Sequence, residues 1–370
     1  MKKTLFITVI TLTEIFLSCA PAAAQERPPV TLTDGPYLFR HDSAIKALWI
    51  KNSMVKEKTL TVENFDETAR KFKLKFSFND IAGVGPGNPD FDQRYNDVDC
   101  VAVITDLHGE YKKFARLLKG NGVTDKDLNW SFGTGHLVVL GDIFDRGGSV
   151  TDILWSVFAL ERQAEASGGK VHVLLGNHEF MELGGDGSFA NEKYLRLQNV
   201  LGMPYPELYS DKSILGRWLR SKPVVITINK MIFTHGGLSE ELVRKGLTIS
   251  VINTIYYDLL NGKKVPATEL ENAAFLQGSE DSPLWYRGYF TDRSFTTARL
   301  MSVLGFYGME KIIVGHTTFD EMISLYGSRL IGADAGIMNR SSGEILIYKE
   351  GVFYRGSKSG RRFWFAYQAT

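Results

Sequence analysis

Five short polar clusters in this sequence each come directly after a run of apolar residues, and this arrangement constrains the fold more than any other feature. The apolar runs have the pattern of strands that are buried on both faces. The clusters contain Asp, Asn, His and Gly and lie at 106–109, 141–147, 176–179, 234–237 and 315–317. Because ligand sites in α/β sheets form at the carboxyl ends of strands, the five clusters are predicted to face one crevice.

The order of the apolar runs predicts an α/β fold. Continuous apolar runs at 101–105, 137–140 and 171–175 alternate with segments of helical spacing at 110–118 and 150–163. This order is typical of a βαβαβ unit with a parallel sheet. Further strands are predicted at 224–228, 231–233 and 312–314, and short strands separated by turns are predicted within 323–365.

The first part of the chain has a different pattern. Alternating apolar runs at 37–39, 44–51 and 72–78 predict antiparallel strands, and the turn-rich segment 82–89 predicts a linker. We therefore expect a β-rich segment with its linker at 25–97 and the main domain at 98–370.

The N-terminal 24 residues have the pattern of a secretory signal peptide. Lys2 and Lys3 precede an apolar run from Leu5 to Leu17, and an Ala-x-Ala pattern ends at Ala24. The run is too short to span a membrane, so a retained anchor is the less favoured alternative. We expect a signal peptide at 1–24 and an exported protein of the periplasm or cell envelope.

The positions of the two cysteines bear on disulfide formation and on lipidation. Cys19 lies within the leader, so cleavage would leave only Cys100 and no intramolecular disulfide. Cys19 also follows Phe16-Leu17-Ser18, which resembles a lipobox, and a lipid anchor at Cys19 is the alternative to simple cleavage.

The chain has 43 basic and 42 acidic residues, so neither nucleic acid nor an anionic membrane is an expected partner. The sequence predicts no oligomeric state.

The residue types in the five clusters point to a metal site. Single Asp or His residues at strand ends are usually caps, but here four of the seven histidines fall in such clusters: His108, His178, His235 and His316. Asp, Asn and His without Cys suit Mn, Fe or Zn. A pair of such metals needs a bridging carboxylate, for which Asp142 is the candidate, and would activate water for in-line attack on phosphorus.

These clusters resemble the motif series of a known family. The motifs are Asp106-x-His108-Gly109, Gly141-Asp142-x-x-Asp145-Arg146-Gly147, Gly176-Asn177-His178-Glu179, His235 and Gly315-His316. They are similar to those of the calcineurin-like metallophosphoesterases of the phosphoprotein phosphatase type. Segments 179–186 and 282–289 further resemble the Shewanella-like protein phosphatases. Over about 98–336, the resemblance implies a four-layer α/β/β/α sandwich and a metallophosphoesterase domain.

The resemblance also implies roles for individual residues. Asp106, His108 and Asp142 would bind the first metal, and Asp142, Asn177, His235 and His316 the second. Arg146 and Arg287 would bind phosphate oxygens, since a guanidinium matches phosphate geometry. His178 would protonate the leaving oxygen and be oriented by Asp145. For Arg287, packing on Trp285 or Tyr286 is the alternative.

The favoured hypothesis is an exported, metal-dependent phosphomonoesterase that acts on phosphorylated proteins or peptides, on either phosphotyrosine or phosphoserine and phosphothreonine. A nucleotide hydrolase of the diadenosine-tetraphosphatase type shares most of the motifs and is the alternative enzyme. A non-catalytic scaffold is disfavoured because every ligand position is filled.

Overall fold

The computed structural model describes residues 31–41, 44–85, 90–339 and 343–365. The predicted signal peptide with Cys19, and residues 86–89 of the predicted linker, lie outside the described residues. The described residues from Leu32 onward form one compact unit. Within the described part of the chain, every helix is too short or too polar to cross a bilayer.

The described residues form strands and α-helices, which are numbered in chain order. The strands are β1 (Asp34–His41), β2 (Ala44–Lys51), β3 (Met54–Leu60), β4 (Arg94–Tyr95), β5 (Cys100–Ile104), β6 (His136–Val139), β7 (Lys170–Val173), β8 (Val225–Ile228), β9 (Met231–Thr234), β10 (Lys311–Val314), β11 (Ile323–Leu325), β12 (Leu330–Gly332), β13 (Ile345–Lys349), β14 (Val352–Gly356) and β15 (Arg362–Trp364). The α-helices are α1 (Val62–Phe72), α2 (Phe78–Ala82), α3 (Tyr111–Gly120), α4 (Val150–Ala166), α5 (Asn177–Leu183), α6 (Glu192–Leu201), α7 (Ile214–Leu219), α8 (Glu240–Arg244), α9 (Ile249–Leu260), α10 (Leu270–Gly278), α11 (Gly288–Thr291) and α12 (Thr297–Tyr307). Short 3₁₀ helices lie at Tyr205–Tyr209 and Ala267–Glu269.

Two six-stranded sheets form the centre of the fold. Their strand orders are β15-β14-β13-β5-β6-β7 and β11-β12-β10-β9-β8-β4. The pairs β5–β6 and β6–β7 are parallel and are connected through α3 and α4, which confirms the predicted βαβαβ unit. The strands predicted near β8, β9 and β10, and those of the C-terminal stretch, are also confirmed.

The alternation of residues in β5 shows how the layers pack. Val101 and Val103 belong to an apolar core shared with the other sheet, where Ile226, Phe233 and Ile313 lie. Ala102 and Ile104 instead join the core that contains the buried faces of the helices. The predicted layered α/β sandwich is therefore confirmed.

The N-terminal segment is only partly as predicted. Strands β1, β2 and β3 form an antiparallel sheet, but the strand predicted at 72–78 is wrong. In its place α1 ends at Phe72, with Lys73 in the left-handed conformation, and α2 begins after Ser77, whose hydroxyl accepts from Asp80 N. Phe76 and Phe78 pack against Phe65, so their alternation in sequence reflects packing between helices rather than a pleated strand.

The N-terminal sheet contacts the rest of the compact unit at several points. The Trp155 indole in α4 donates a 2.8 Å hydrogen bond to the Pro36 carbonyl in β1. Asp34 in β1 forms an ion pair with Lys193 in α6. Short strand β4 then pairs with β8, with Arg94 opposite Thr227, which carries the chain into the central sandwich.

Candidate metal and phosphate site

The five polar clusters converge where strands of both central sheets end. Asp106 and His108 follow β5, Asp142 follows β6, and Asn177 begins α5 after β7. The second sheet contributes two imidazoles, His235 after β9 and His316 after β10. All six side chains are buried, with exposures between 0% and 6%. The predicted convergence on one crevice is thus confirmed.

The backbone at the site adopts conformations that ordinary residues rarely adopt. Asp106, His108, Asp142 and His316 have φ between 41° and 63°, in the left-handed region. Backbone hydrogen bonds compensate, for example from Asp106 N to Gly141 O at 3.1 Å. Gly176 is required by close approach, since a Cβ there would lie 2.2 Å from Asp142 Oδ1. Such strain is typical of functional sites that the surrounding fold holds in place.

Asp142 is at the centre of the cluster. Its Oδ2 lies 3.2 Å from His235 Nε2, 3.6 Å from His108 Nε2 and 3.9 Å from His178 Nε2. Potential ligand atoms within 4.8 Å of one another form two groups that share Asp142, one with His108 and His178 and one with His235 and His316. The shared carboxylate has the position expected of a bridging ligand. Asp106 lines the same cavity.

Two imidazoles of the cluster bond to the main chain through Nδ1, which leaves the other ring nitrogen facing Asp142. His108 Nδ1 donates to Phe144 O and His235 Nδ1 to Leu140 O, both at 2.8 Å, so in the neutral ring each Nε2 carries the lone pair that a cation needs. His235 Nε2 also lies 3.0 Å from Asn177 Oδ1. His316 Nε2 is buried and has no hydrogen-bond partner among the described residues. An orphaned nitrogen beside buried carboxylates fits a metal ligand. The donor set present therefore suits divalent cations.

The titration behaviour of the cluster agrees with this fit. Burial raises the pKa of Asp106 to about 8, with a further contribution from the charge of Asp334. Burial lowers the pKa of His108 to about 4. Burial also disfavours the charged form of His235, but the charge of Asp142, its hydrogen bond to the ring and the charge of Asp106 together outweigh burial and raise that pKa to about 9, so a cation that binds His235 must displace a proton. A bound cation would stabilise the charged carboxylates that burial otherwise destabilises.

A second set of residues surrounds the cluster on its open side. His178 Nδ1 lies 2.5 Å from Asp145 Oδ2, and Arg146 Nη2 lies 3.3 Å from His178 Nε2. Burial lowers the pKa of His178, but the hydrogen bond to Asp145 and the charge of Asp142 outweigh it, so the pKa is raised above its usual value. His178 thus combines a carboxylate on one nitrogen with an accessible second nitrogen, which suits proton transfer.

Arg287 reaches the site from the loop before α11. Its Nη1 donates to His316 O at 2.5 Å and to Thr317 Oγ1 at 3.2 Å, which holds the guanidinium beside the cluster rather than on Trp285 or Tyr286. Arg146 and Arg287 both line a cavity of about 200 Å³ over the polar cluster. A larger cavity of about 520 Å³ near Arg217 shares no residue with it, so chemistry rather than size identifies the site.

The sequence predicts no catalytic or binding role for several residues that build the site. Glu179, fully buried, accepts hydrogen bonds from four backbone N–H groups, those of Asp142, Ile143, Phe144 and Gly176. Asp334 is buried and accepts from Thr318 Oγ1. The Phe189 ring, 51% exposed, lies edge-on to His178 with 5.4 Å between ring centroids. Glu179 could have been noticed from its place in Gly-Asn-His-Glu and Asp334 from its place in Gly-Ala-Asp-Ala-Gly, whereas Phe189 carries no local signal.

Comparison with known proteins shows which protein family this chain belongs to. Residues 101–318 match the calcineurin-like phosphoesterase family. This match covers more than half of the chain, so the chain belongs to that family, and it is a hydrolase of phosphate esters. The resemblance inferred from the motifs is confirmed.

Three individual proteins that are similar to this chain are named as protein phosphatases. The crystal structure of the cold-active protein-tyrosine phosphatase of a psychrophile Shewanella sp. is 33% identical, covers 90% of this chain and 99% of its own, and has a TM-score of 0.78. Shewanella-like protein phosphatase 2 of Arabidopsis thaliana is 26% identical over 290 residues, 66% of this chain and 73% of its own length. Shewanella-like protein phosphatase 1 of Plasmodium berghei is 27% identical over 225 residues, 59% of this chain and 60% of its own length.

Proposed function

We propose that this chain is a phosphatase for phosphorylated proteins or peptides that works with two divalent cations. The observation that carries the proposal is the buried cluster around Asp142, flanked on its open side by two arginines and the His178–Asp145 pair. The relatives named as protein phosphatases support the substrate class. Phosphotyrosine and phosphoserine or phosphothreonine are both candidate substrates.

In this proposal six residues hold the cations. Asp142 is shared, Asp106 and His108 complete one site, and Asn177, His235 and His316 complete the other. When bound, Mn, Fe or Zn would supply charge neutralisation and activation of water for attack on phosphorus. The mixed oxygen and nitrogen donors support all three metals and disfavour a structural thiolate site.

The remaining residues bind the substrate and move a proton. Arg146 and Arg287 bind phosphate oxygens, since both guanidinium groups line the cavity and a planar fork of N–H donors matches phosphate. His178 donates the proton on Nε2 to the leaving oxygen. Asp145 accepts from Nδ1 and thereby orients the ring and stabilises its charged form.

A side-by-side turnover measurement tests the substrate class. With Mn²⁺ present, at least one of the two peptides, phosphotyrosyl or phosphoseryl, should be hydrolysed as fast as diadenosine tetraphosphate or faster. Turnover of diadenosine tetraphosphate that exceeds that of both peptides would support the nucleotide hydrolase instead. Failure on all three substrates would contradict the proposal.

We further propose that the protein is exported, on the basis of the leader at 1–24. Fractionation of the native host should find it in the periplasm or cell envelope. Intact-mass analysis separates the two processing routes, because cleavage after Ala24 and lipidation at Cys19 give different N-termini. A full-length cytoplasmic form would contradict export.

A further inference from the structure

Arg146 is an exposed residue whose own backbone is in an unfavourable conformation. Its φ is 59°, and that of the preceding Asp145 is 69°, so two consecutive residues other than glycine lie in the left-handed region. Among the described residues, its side chain has two hydrogen-bond partners, both at long distance: His178 Nε2 at 3.3 Å and the Met338 sulfur at 3.7 Å. Its position therefore depends on what holds the main chain.

The start of α6 holds that main chain from both sides. Arg146 N donates to Phe189 O at 3.1 Å. Asn191 Nδ2 donates to Arg146 O at 2.7 Å. The two hydrogen bonds fix the peptide groups before and after the Arg146 Cα atom. Both partners belong to the segment that leads into α6, forty-odd residues further along the chain.

Asn191 has a second, separable role. It is the N-cap residue of α6, where its Oδ1 accepts from Lys193 N at 2.9 Å. Lys193 in turn donates to Gly148 O at 2.6 Å and pairs with Asp34 of the N-terminal sheet. One end of the Asn191 amide thus begins the helix, while the other end reaches the loop that carries Arg146.

We propose that Asn191 is a positioning residue for Arg146, and that its amide N–H group sets the affinity of the site for phosphate. This inference rests on the proposed function, because it takes Arg146 as a phosphate ligand. An arginine whose backbone is fixed loses less freedom when it binds an anion, which favours binding.

Substitution by serine separates the two roles. Serine caps helices about as well as asparagine, but its shorter side chain cannot reach Arg146 O. Asn191→Ser should lower the melting temperature by no more than a few degrees, because the cap is kept and one hydrogen bond is lost. It should raise the inhibition constant for orthophosphate, measured against nitrophenyl phosphate with Mn²⁺, by about 2- to 10-fold, the range that one hydrogen bond is worth. Asn191→Asp retains the cap but sets an oxygen against Arg146 O, so its effect should be at least as large.

A double-mutant cycle shows whether the effect passes through Arg146. In an Arg146→Ala background, Asn191→Ser should cause no further change in the inhibition constant. An equal change in both backgrounds, or no change in the wild-type background, would overturn the proposal. Metal content is measured in each variant, because loss of metal in Asn191→Ser would assign its effect to the centre and also overturn the proposal.

The assay keeps this inference distinct from the proposed function. If wild type hydrolyses nitrophenyl phosphate but no phosphopeptide, the proposed substrate class fails while the cycle still decides the role of Asn191. If orthophosphate does not inhibit wild type, or Arg146→Ala leaves inhibition unchanged, Arg146 is not a phosphate ligand and the role of Asn191 fails with it.

Discussion

Two buried glutamates on the same helix should respond in opposite directions to the same substitution. Glu179 and Glu182 both lie in α5 and both have 0% exposure. Glu179 accepts four backbone hydrogen bonds, whereas neither carboxylate oxygen of Glu182 has a hydrogen-bond partner among the described residues. Replacing either residue with Gln changes one carboxylate oxygen to an NH2 group and leaves the side-chain volume nearly constant.

For Glu179→Gln the structure predicts a large loss of stability. Gln retains one oxygen, which can keep the bonds from Asp142 N and Gly176 N, while Ile143 N and Phe144 N would then face an amide donor. Hydrogen bonds to charged groups contribute about 1.5 to 3 kcal/mol each, so two lost bonds cost about 3 to 6 kcal/mol. We expect the lower end, because burial and the charge of Asp142 raise the pKa of Glu179, and neutral Gln avoids the cost of burying that charge.

For Glu182→Gln the structure predicts a gain of stability instead of a loss. Burial raises the pKa of Glu182 to about 9, against 4.5 for a free side chain, so folding at pH 7 must protonate it. At 1.36 kcal/mol per pH unit, the 2.5 units between 4.5 and pH 7 cost up to about 3 kcal/mol. The cost is absent below pH 4.5 and grows as the pH rises toward 9. Glu182→Gln should therefore stabilise the protein at pH 7 and by only about 1.4 kcal/mol at pH 5.5.

Urea unfolding of wild type and the two variants at pH 7.0 and 5.5 measures both effects. A chelator in every sample keeps cation binding out of the free energy of unfolding. Stability losses of similar size in the two variants would refute the reasoning. They would show that packing around α5, rather than hydrogen bonding, determines the change in the free energy of unfolding. A pH-independent effect of Glu182→Gln would refute the assignment of a neutral buried carboxyl.

Three further predictions concern the centre and a remote histidine pair. Asp142→Asn should lose metal and activity together, and a variant that keeps two metals per chain with normal turnover would contradict its bridging role. His178→Asn, with metals retained, should slow phosphoserine peptide hydrolysis much more than nitrophenyl phosphate hydrolysis, toward the 10²- to 10⁴-fold typical of general acids, whereas equal losses would exclude proton donation. His172 Nε2 lies 3.0 Å from His136 Nδ1, and burial lowers the pKa of both, so acid favours the unfolded chain. His172→Gln should reduce the fall in melting temperature between pH 6.5 and 4.5, and an unchanged fall would contradict this.

The parts of the site that the sequence predicted share a physical reason. Asp106, Asp142 and His316 follow strands whose continuous apolar pattern is unmistakable, and strand ends of one sandwich must meet. Of the ten residues predicted to bind metal or phosphate, to transfer a proton or to orient its donor, eight line one cavity, and the other two, Asp145 and His235, contact residues that line it. Their proximity follows from topology and needs no knowledge of side-chain contacts.

The parts that the sequence did not predict depend on backbone partners far away in the chain. Glu179 bonds to main-chain groups 35 to 37 residues earlier, and Asn191 to a carbonyl 45 residues earlier. Main-chain groups have no sequence signature, so the Gly-Asn-His-Glu motif marks Glu179 itself but no pattern identifies the groups that Glu179 and Asn191 contact. The wrong strand at 72–78 has a different cause: the aromatic alternation outweighed the local capping signal from Ser77 to Asp80.

The six residues proposed to bind metal come from two sheets, and this determines when the site can form. Asp106 accepts a hydrogen bond from His316 N, 210 residues later in the sequence. At about 5 to 20 residues per second, a ribosome needs about 10 to 40 s to travel that distance. A nascent chain thus presents the ligands of the first sheet well before those of the second. Cation capture in the native arrangement must follow synthesis of nearly the whole chain, which makes metal loading a late step in maturation.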